Sequence, residues 1–194
     1  MTNQIILASG SPRRKEILKQ AGLNFKVIPS KKEEITSFTE PEKIVEELAF
    51  IKADDIKTQA PENSIIIGAD TIVCNQGAIL GKPKNKPEAI QMLLNLQGHE
   101  HSVYTGVCII LKQGNQIKVR KFAELTRVKV ASLSKEKIEE YCYTGEPMDK
   151  AGAYGIQGKG SVFVSSINGD FYNVMGLPLC RLNNLLKKFG VSVL

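Results

Sequence analysis

The stretch Ser64-Ile65-Ile66-Ile67-Gly68-Ala69-Asp70-Thr71 decides the fold. Its apolar run has no polar alternation, which is typical of a strand buried on both faces of a sheet. Between Ile44 and Ile56, just before this strand, apolar side chains recur at helical spacing. A helix that leads into a doubly buried strand favours an α/β architecture.

The first sixty residues extend this alternation of strands and helices. We predict strands over residues 4–8 and 25–28, joined by a helix that begins at Pro12 with Ser11 as its N-cap. Thr39-x-x-Glu42 has the pattern of a capping box, so a second helix is expected to begin there. Gly22 is expected to end the first helix.

The second half contains hairpin signals as well as helices. The main hairpin joins 101–112 to 116–130 through Gln113-Gly114-Asn115, and a shorter one turns at Asn75-Gln76-Gly77. The other predicted elements are helices over 87–97 and 134–143, a strand over 161–167 and a last helix from Gly176-Leu177-Pro178. The fold class is therefore α/β with a mixed twisted sheet, expected as a single domain over residues 1–194.

The composition excludes several classes of protein. The chain has 194 residues, 42% of them hydrophobic, which argues against disorder. Its apolar runs are too short to span a membrane, and we expect no signal peptide. The net charge is +6, but the basic residues are scattered, which favours a solvated surface over a nucleic-acid interface. A small anionic ligand in one basic cleft explains the excess equally well.

The cysteines and histidines do not indicate a metal site. No Cys-x-x-Cys pair exists, which excludes a zinc ribbon and a thioredoxin-type motif. The four cysteines are Cys74, Cys108, Cys142 and Cys180. Their apolar neighbours predict buried, reduced thiols and a cytoplasmic protein. His99 and His101 lack a third ligand nearby and are interpreted as surface residues.

The first motif with chemical content is Ser9-Gly10-Ser11-Pro12-Arg13-Arg14, where a strand ends and a helix begins. Free amides and the dipole at a helix N-terminus attract anions. Arginine in this turn opposes the dipole unless a phosphate neutralises it. Phosphate binding and a solvated helix start remain equally open on this motif alone.

The second motif is Gly68-Ala69-Asp70-Thr71, which places an acid after a buried strand. Open α/β sheets bind ligands at such strand ends, so Asp70 could bind a divalent cation or accept a proton from water. The alternative is a turn residue that bonds its own backbone. Lys52, Lys82 and the pair Glu33-Glu34 are weak signals individually, since solvated surface residues are the commoner case.

The third motif is the glycine-bearing loop from Gly145 to Gly158. A long ordered loop in a compact domain is more often a binding element than a connection, and its glycines allow close approach to a ligand. Gln157 offers a donor and an acceptor, which suits the edge of a base. Neither a Walker A loop nor a GxGxxG fingerprint is present.

Taken together, these segments resemble the Maf family of nucleoside triphosphate pyrophosphatases, also called septum-formation-inhibitor-like proteins. The resemblance covers essentially the whole chain. The segments that carry it are 7–14, 68–71, 81–83 (Gly-Lys-Pro), 148–158 and 173–178 (Asn-Val-Met-Gly-Leu-Pro). It implies an elongated α/β fold with a deep cleft, similar to inosine triphosphate pyrophosphatases. It also implies hydrolysis of a nucleoside triphosphate to the monophosphate and pyrophosphate, with Mg²⁺ or Mn²⁺.

The resemblance also implies roles for particular residues. Asp70 matches the catalytic proton acceptor, and Glu34, with Glu33 left open, matches a carboxylate that joins Asp70 at the metal. The positions associated with the triphosphate are Ser9, Arg13, Lys52 and Lys82. The selectivity positions hold Arg13, Thr71 and Gln157, which resembles the dTTP/UTP branch.

Two other functions remain open. One is a non-catalytic regulator of septum formation that binds nucleotides or nucleic acid, and the other is a pyrophosphatase for modified purine triphosphates. We favour a cytoplasmic house-cleaning enzyme whose partner is a small nucleotide, without stable nucleic-acid or membrane binding. A homodimer is compatible with the resemblance.

Overall fold

The computed structural model describes residues 3–114 and 116–193. In chain order the strands are β1 (Gln4–Leu7), β2 (Phe25–Val27), β3 (Ser64–Asn75), β4 (Ala78–Leu80), β5 (Glu100–Gln113), β6 (Gln116–Val130) and β7 (Val164–Asn168). The α-helices are α1 (Pro12–Gln20), α2 (Pro41–Lys57), α3 (Lys86–Leu96), α4 (Lys135–Tyr143), α5 (Phe171–Met175) and α6 (Leu179–Lys187). Three 3₁₀ turns occupy Glu146–Asp149, Ala151–Ala153 and Gly158–Phe163.

The seven strands form one mixed sheet in the order β2-β1-β3-β5-β6-β7, with β4 paired to β3. β1 is parallel to β2 and β3, whereas the β3–β4 and β6–β7 pairs are antiparallel. The predicted α/β class with a mixed sheet is thereby confirmed. β5 and β6 are neighbours as the hairpin prediction required, although Asn115 of the predicted turn lies outside the described residues.

The chain divides into two compact units. The first comprises Met1–Asp70, Thr105–Glu124 and Gly176–Leu194, and the second comprises Thr71–Tyr104 and Leu125–Met175. The core of the first unit includes Ile6, Ala49, Ala53, Ile66 and Ile110. The core of the second is built from α3, α4, the inward faces of its strands and the 3₁₀ turns. The single domain over 1–194 stays a prediction.

Helix α2 packs on the sheet of the first unit with its backbone. A Cβ on Gly68 would stand 2.2 Å from the carbonyl oxygen of Ala49, and one on Gly106 would stand 2.1 Å from that of Val45. Atoms cannot approach so closely, so both strand positions require glycine. This close packing determines where the side chains of α2 lie, including that of Lys52.

Two predicted boundaries were wrong, namely the starts of the second helix and of the last strand. Helix α2 begins at Pro41 with Glu40 at the N-cap, because proline fixes the first helical position and holds the residue before it extended. No Thr39 capping box forms. The predicted start of α1 at Pro12, with Ser11 at the N-cap, is confirmed, although the Ser11 side chain makes no capping bond. The last strand begins at Val164, since Ser161–Phe163 continue a 3₁₀ turn.

The histidine interpretation was also wrong for one of the pair. His101 is 3% exposed, and its Nε2 lies 2.7 Å from the hydroxyl oxygen of Tyr154. The partner comes from a loop more than fifty residues away, which strand spacing alone does not reveal. Burial lowers the pKa of His101 to about 4.

The cysteines are free thiols, of which Cys108 and Cys142 are buried, Cys74 is half-buried and Cys180 is exposed. The prediction of buried thiols is therefore wrong for Cys180. Among the described residues, no helix is long and apolar enough to cross a membrane.

Candidate active site

Asp70 is the most enclosed acid of the candidate site. It is 8% exposed and follows the apolar run of β3. The strand continues through Asp70 to Asn75, so the expected strand end at this position was wrong. The carboxylate is held within an extended backbone rather than in a turn, and the turn alternative for Asp70 is thereby excluded.

A lysine ammonium joins Asp70 to a second carboxylate. Lys52, on α2, places its Nζ 2.6 Å from Oδ1 of Asp70 and 3.0 Å from Oε2 of Glu34. Its side chain is only 12% exposed, whereas that of Glu34 is 48% exposed. Of the pair Glu33-Glu34, in the segment between β2 and α2, it is Glu34 that supplies this contact with Lys52.

The start of α1 adds a second enclosed cation, Arg14, which is 8% exposed. Its Nη1 donates to Ser9 Oγ at 3.0 Å and its Nε donates to the carbonyl oxygen of Gly176 at 2.8 Å. Burial lowers the pKa of Arg14, and the nearby Asp70 carboxylate opposes that shift. A guanidinium keeps its charge even so, because its reference pKa is above 12.

Ser9 is held by its neighbours in one orientation. Its Oγ accepts hydrogen bonds from Arg14 Nη1 and, at 3.3 Å, from the amide of Ser11. An oxygen that accepts two bonds has its own hydrogen left to donate. Ser9 therefore presents a hydroxyl donor beside the first turn of α1, in which Arg13 is half-buried.

The carboxylates fit a divalent cation, although they do not form a complete cage. Among residues 3–114 and 116–193, no cluster of three or more His, Cys, Asp or Glu side chains is arranged to hold a metal. Glu34 and Asp70 nevertheless converge on one positive charge, the Lys52 ammonium. Mg²⁺ commonly takes only one or two protein carboxylates and completes its shell with water and substrate phosphates. The donor set agrees with that mode of binding.

The remaining predicted residues, Thr71, Lys82 and Gln157, belong to the second unit. Lys82 is exposed in the segment after β4, while Thr71 and Gln157 are half-buried. The carbonyl oxygen of Gly81 accepts a hydrogen bond from the amide of Gly152 at 3.1 Å. This bond joins the Lys82 segment to the long loop that carries Gln157.

The structure thus links Ser9, Glu34, Lys52, Asp70 and the neighbourhood of Arg13 within the first unit. Arg14 is the residue that sequence reasoning did not place among the site residues. Its signal was present, because two successive arginines at a helix start cannot both face the same way. The sequence could not indicate that the buried Arg14 guanidinium donates a hydrogen bond to the carbonyl oxygen of Gly176.

The chain is similar over nearly its whole length to known proteins of one family. A family model described as "Maf-like protein" matches residues 4–189. A dTTP/UTP pyrophosphatase of Lachnoclostridium phytofermentans is 52% identical over 191 residues, covering 98% of this chain and 97% of the relative. A dTTP/UTP pyrophosphatase of Bacillus anthracis is 50% identical, with the same coverage.

Among solved structures, the Staphylococcus aureus Ham1 protein is similar in fold. Its TM-score is 0.55 at 15% identity, over 96% of this chain and 97% of that chain. Identity this low supports a shared α/β fold and no more. The match to the family model and the two half-identical relatives support a stronger conclusion: this chain belongs to the Maf family.

Proposed function

We propose that this protein hydrolyses dTTP and UTP to the nucleoside monophosphate and pyrophosphate. The observation that carries the proposal is the enclosed Asp70 carboxylate. It is paired with the ammonium of Lys52, which also contacts Glu34. Membership of the Maf family and the activity named for two half-identical relatives support the same reaction. Arg13, Thr71 and Gln157, at the selectivity positions, support uracil and thymine bases.

Asp70 is the proposed general base. The Lys52 ammonium bonds Oδ1 and orients the carboxylate, which can accept a hydrogen bond from water through its other lone pairs. Water attacks the α-phosphorus, its proton passes to Asp70, and the bond between the α-phosphorus and the bridging oxygen breaks. Pyrophosphate then leaves. A positioned base contributes about 10²–10⁴-fold to such a step.

The triphosphate is proposed to bind the cationic and hydroxyl donors. Ser9 directs its hydroxyl hydrogen outward because Arg14 and Ser11 occupy its acceptor sites. Arg13, Lys52 and Lys82 supply positive charge, which stabilises the charge that develops on the phosphate oxygens. Glu34 and Asp70 would hold the divalent cation, Mg²⁺ or Mn²⁺, which neutralises phosphate charge when bound.

The test is pyrophosphate release from a panel of triphosphates with Mg²⁺ or Mn²⁺. We expect dTTP and UTP to be the best substrates and Asp70→Asn to lower kcat by about 10²–10⁴-fold with the fold retained. Glu33→Gln, a change at an exposed acid, is the matched control and should retain activity. No turnover of any triphosphate by the wild type, or near-normal turnover by Asp70→Asn, would contradict the proposal.

A further inference from the structure

We infer that Glu146 is a positioning residue for base recognition, because its carboxylate holds the backbone that follows Gln157. The inference rests on the proposed function, since it assigns to Gln157 the contact with the base. Glu146 lies in the first 3₁₀ turn and Gln157 directly precedes the third. Both belong to the second unit, as do all the contacts described below.

The carboxylate of Glu146 accepts three hydrogen bonds. Oε2 accepts from the amide of Lys159 at 3.0 Å, and Oε1 accepts from the amide of Gly160 at 3.1 Å. The hydroxyl of Tyr141 also donates to Oε1, at 3.1 Å. Carboxylates that accept several amide bonds bind strongly, because the acceptor is charged. We call this arrangement, Glu146 with its three donors, the carboxylate clamp.

The electrostatics agree with an ionised clamp. Burial acts to raise the pKa of Glu146, but the amides of Gly160 and Lys159 and the Tyr141 hydroxyl together outweigh it. Lys150 adds to the lowering. The pKa of Glu146 therefore lies below its usual value, and the carboxylate stays charged at neutral pH.

The clamp is anchored to helix α4. Tyr141 lies on this helix, is 4% exposed, and its ring meets Phe163 edge to face at a centroid distance of 4.8 Å. The backbone amide of Glu146 donates to Thr144 Oγ1 at 3.2 Å, just after the helix ends. The position of the Glu146 carboxylate is therefore set by contacts with α4 and its C-terminal end. It does not depend only on the 159–160 backbone that the carboxylate binds.

The loop itself is shaped to receive the carboxylate. A Cβ on Gly158, whose φ is +70°, would stand 2.9 Å from Glu146 Oε1. A Cβ on Gly160 would stand 2.7 Å from both the carbonyl oxygen of Gly155 and the Tyr141 hydroxyl. Only glycine allows the chain on either side of Lys159 to come this close. This spatial requirement is independent of the hydrogen bonds.

The consequence for substrate choice follows from chain geometry. Gln157 is joined directly to Gly158, so the clamp limits how its amide can turn toward a base. A glutamine side chain can recognise the edge of a base only if its amide NH₂ and its carbonyl oxygen are aligned with the acceptor and donor of that base. Glu146 thus acts on selectivity through Gln157, without touching the nucleotide.

The test compares Glu146→Gln, Gln157→Ala and the double variant in turnover of UTP and CTP, which differ at the base edge. In Glu146→Gln an NH₂ group replaces one carboxylate oxygen, so a donor then faces the backbone amide of Lys159 or Gly160. We expect the UTP preference to fall about tenfold through KM, as for one charged hydrogen bond lost, with kcat within about threefold. Gln157→Ala should give a similar loss, and the double variant should lose no more than either single one.

Glu139→Gln, a change on α4 at a residue outside the clamp, is the matched control and should keep the UTP preference. Additive losses in the double variant, or an unchanged UTP preference in Glu146→Gln, would overturn the inference. Equal losses for UTP and CTP would also do so, because they would indicate general destabilisation.

Amide hydrogen exchange separates this inference from the proposed function. The amides of Lys159 and Gly160 should exchange about tenfold faster in Glu146→Gln than in the wild type. Faster exchange in a protein that hydrolyses no triphosphate would contradict the proposed function and leave the clamp intact. Unchanged exchange in an active enzyme would overturn the clamp alone.

Discussion

The ammonium of Lys52 provides a positive charge that partly neutralises the two carboxylates of the proposed site. Its ammonium contacts both Glu34 and Asp70, the side chains proposed to hold a divalent cation. Ammonium and cation therefore compete for the same oxygens. On the proposed function, this lysine would oppose binding of a metal ion to the nucleotide-free protein, and a triphosphate, which attracts both charges, would relieve the opposition.

We predict that Lys52→Met tightens Mn²⁺ binding to the nucleotide-free protein by about tenfold or more, while turnover falls. Lys52 contacts both proposed ligands, so the removal of its unit charge should have a large effect on the affinity for a divalent cation even at a high effective dielectric constant. Titration calorimetry or the Mn²⁺ electron paramagnetic resonance signal measures the affinity. Lys57→Met, a change on the same helix at a lysine paired with Asp54, serves as control. Weaker binding in Lys52→Met would contradict the prediction.

At the scale of single residues, sequence pattern identified the charged groups but not their partners. Asp70 could be named from its motif, whereas Glu34 and Lys52 were named only through the family resemblance. The structure joins the three by direct contacts. Which of Arg13 and Arg14 is buried depends on Gly176, far along the chain. Such long-range pairs leave no local signal in the sequence.

At the scale of elements, the position of α2 depends on two glycines in the neighbouring strands β3 and β5. Gly68 and Gly106 let the helix backbone reach the sheet, with Ala49 and Ala53 against Gly68. Lys52 lies between these two alanines in sequence, so the same close packing sets the depth of its ammonium. The packing of the helix therefore helps to position the proposed active site.

We predict that Gly68→Ala destabilises the protein by about 3 kcal/mol and lowers turnover, because the new Cβ must displace the α2 backbone. Urea unfolding measures the first effect and pyrophosphate release the second. Gly81→Ala, a change at a glycine with open space around it, is the stability control. A stable and fully active Gly68→Ala would show that α2 can shift without consequence.

Elements with strong periodicity were predictable, and their ends were less so. The apolar strand that begins at Ser64, the short hairpin that turns at 75–77 and the helix over 134–143 were confirmed. The start of α2 was misplaced because the Thr39-x-x-Glu42 pattern predicted an N-cap at Thr39. The helix instead begins at Pro41, whose ring fixes φ at a helical value. The 3₁₀ turns between 146 and 163 have no periodic signal, so the carboxylate clamp was not foreseen.

At the scale of the whole molecule, His101 couples stability to pH. The buried ring has a pKa of about 4, against an ordinary value of 6.5 in the unfolded chain. Between these values the unfolded state binds more protons, so the free energy of unfolding falls as the pH falls from 6.5 through 4. The full effect is about 3 kcal/mol.

We predict that His101→Gln flattens this pH dependence, because glutamine can still bond Tyr154 but does not titrate. Urea unfolding at several pH values between 4 and 7 measures the free energy. The matched control is His99→Gln, a change at an exposed histidine two residues earlier. An equally steep fall in His101→Gln would assign the pH dependence to other groups.

The bond between Arg14 and Gly176 has a consequence for how the protein is made. The two residues are 162 positions apart, and a ribosome adding about 5–20 residues per second takes roughly 8 to 32 s to cover that distance. Until Gly176 emerges, Arg14 lacks its carbonyl partner and Ser9 lacks a fixed orientation. The proposed site is therefore not complete until synthesis has passed Gly176.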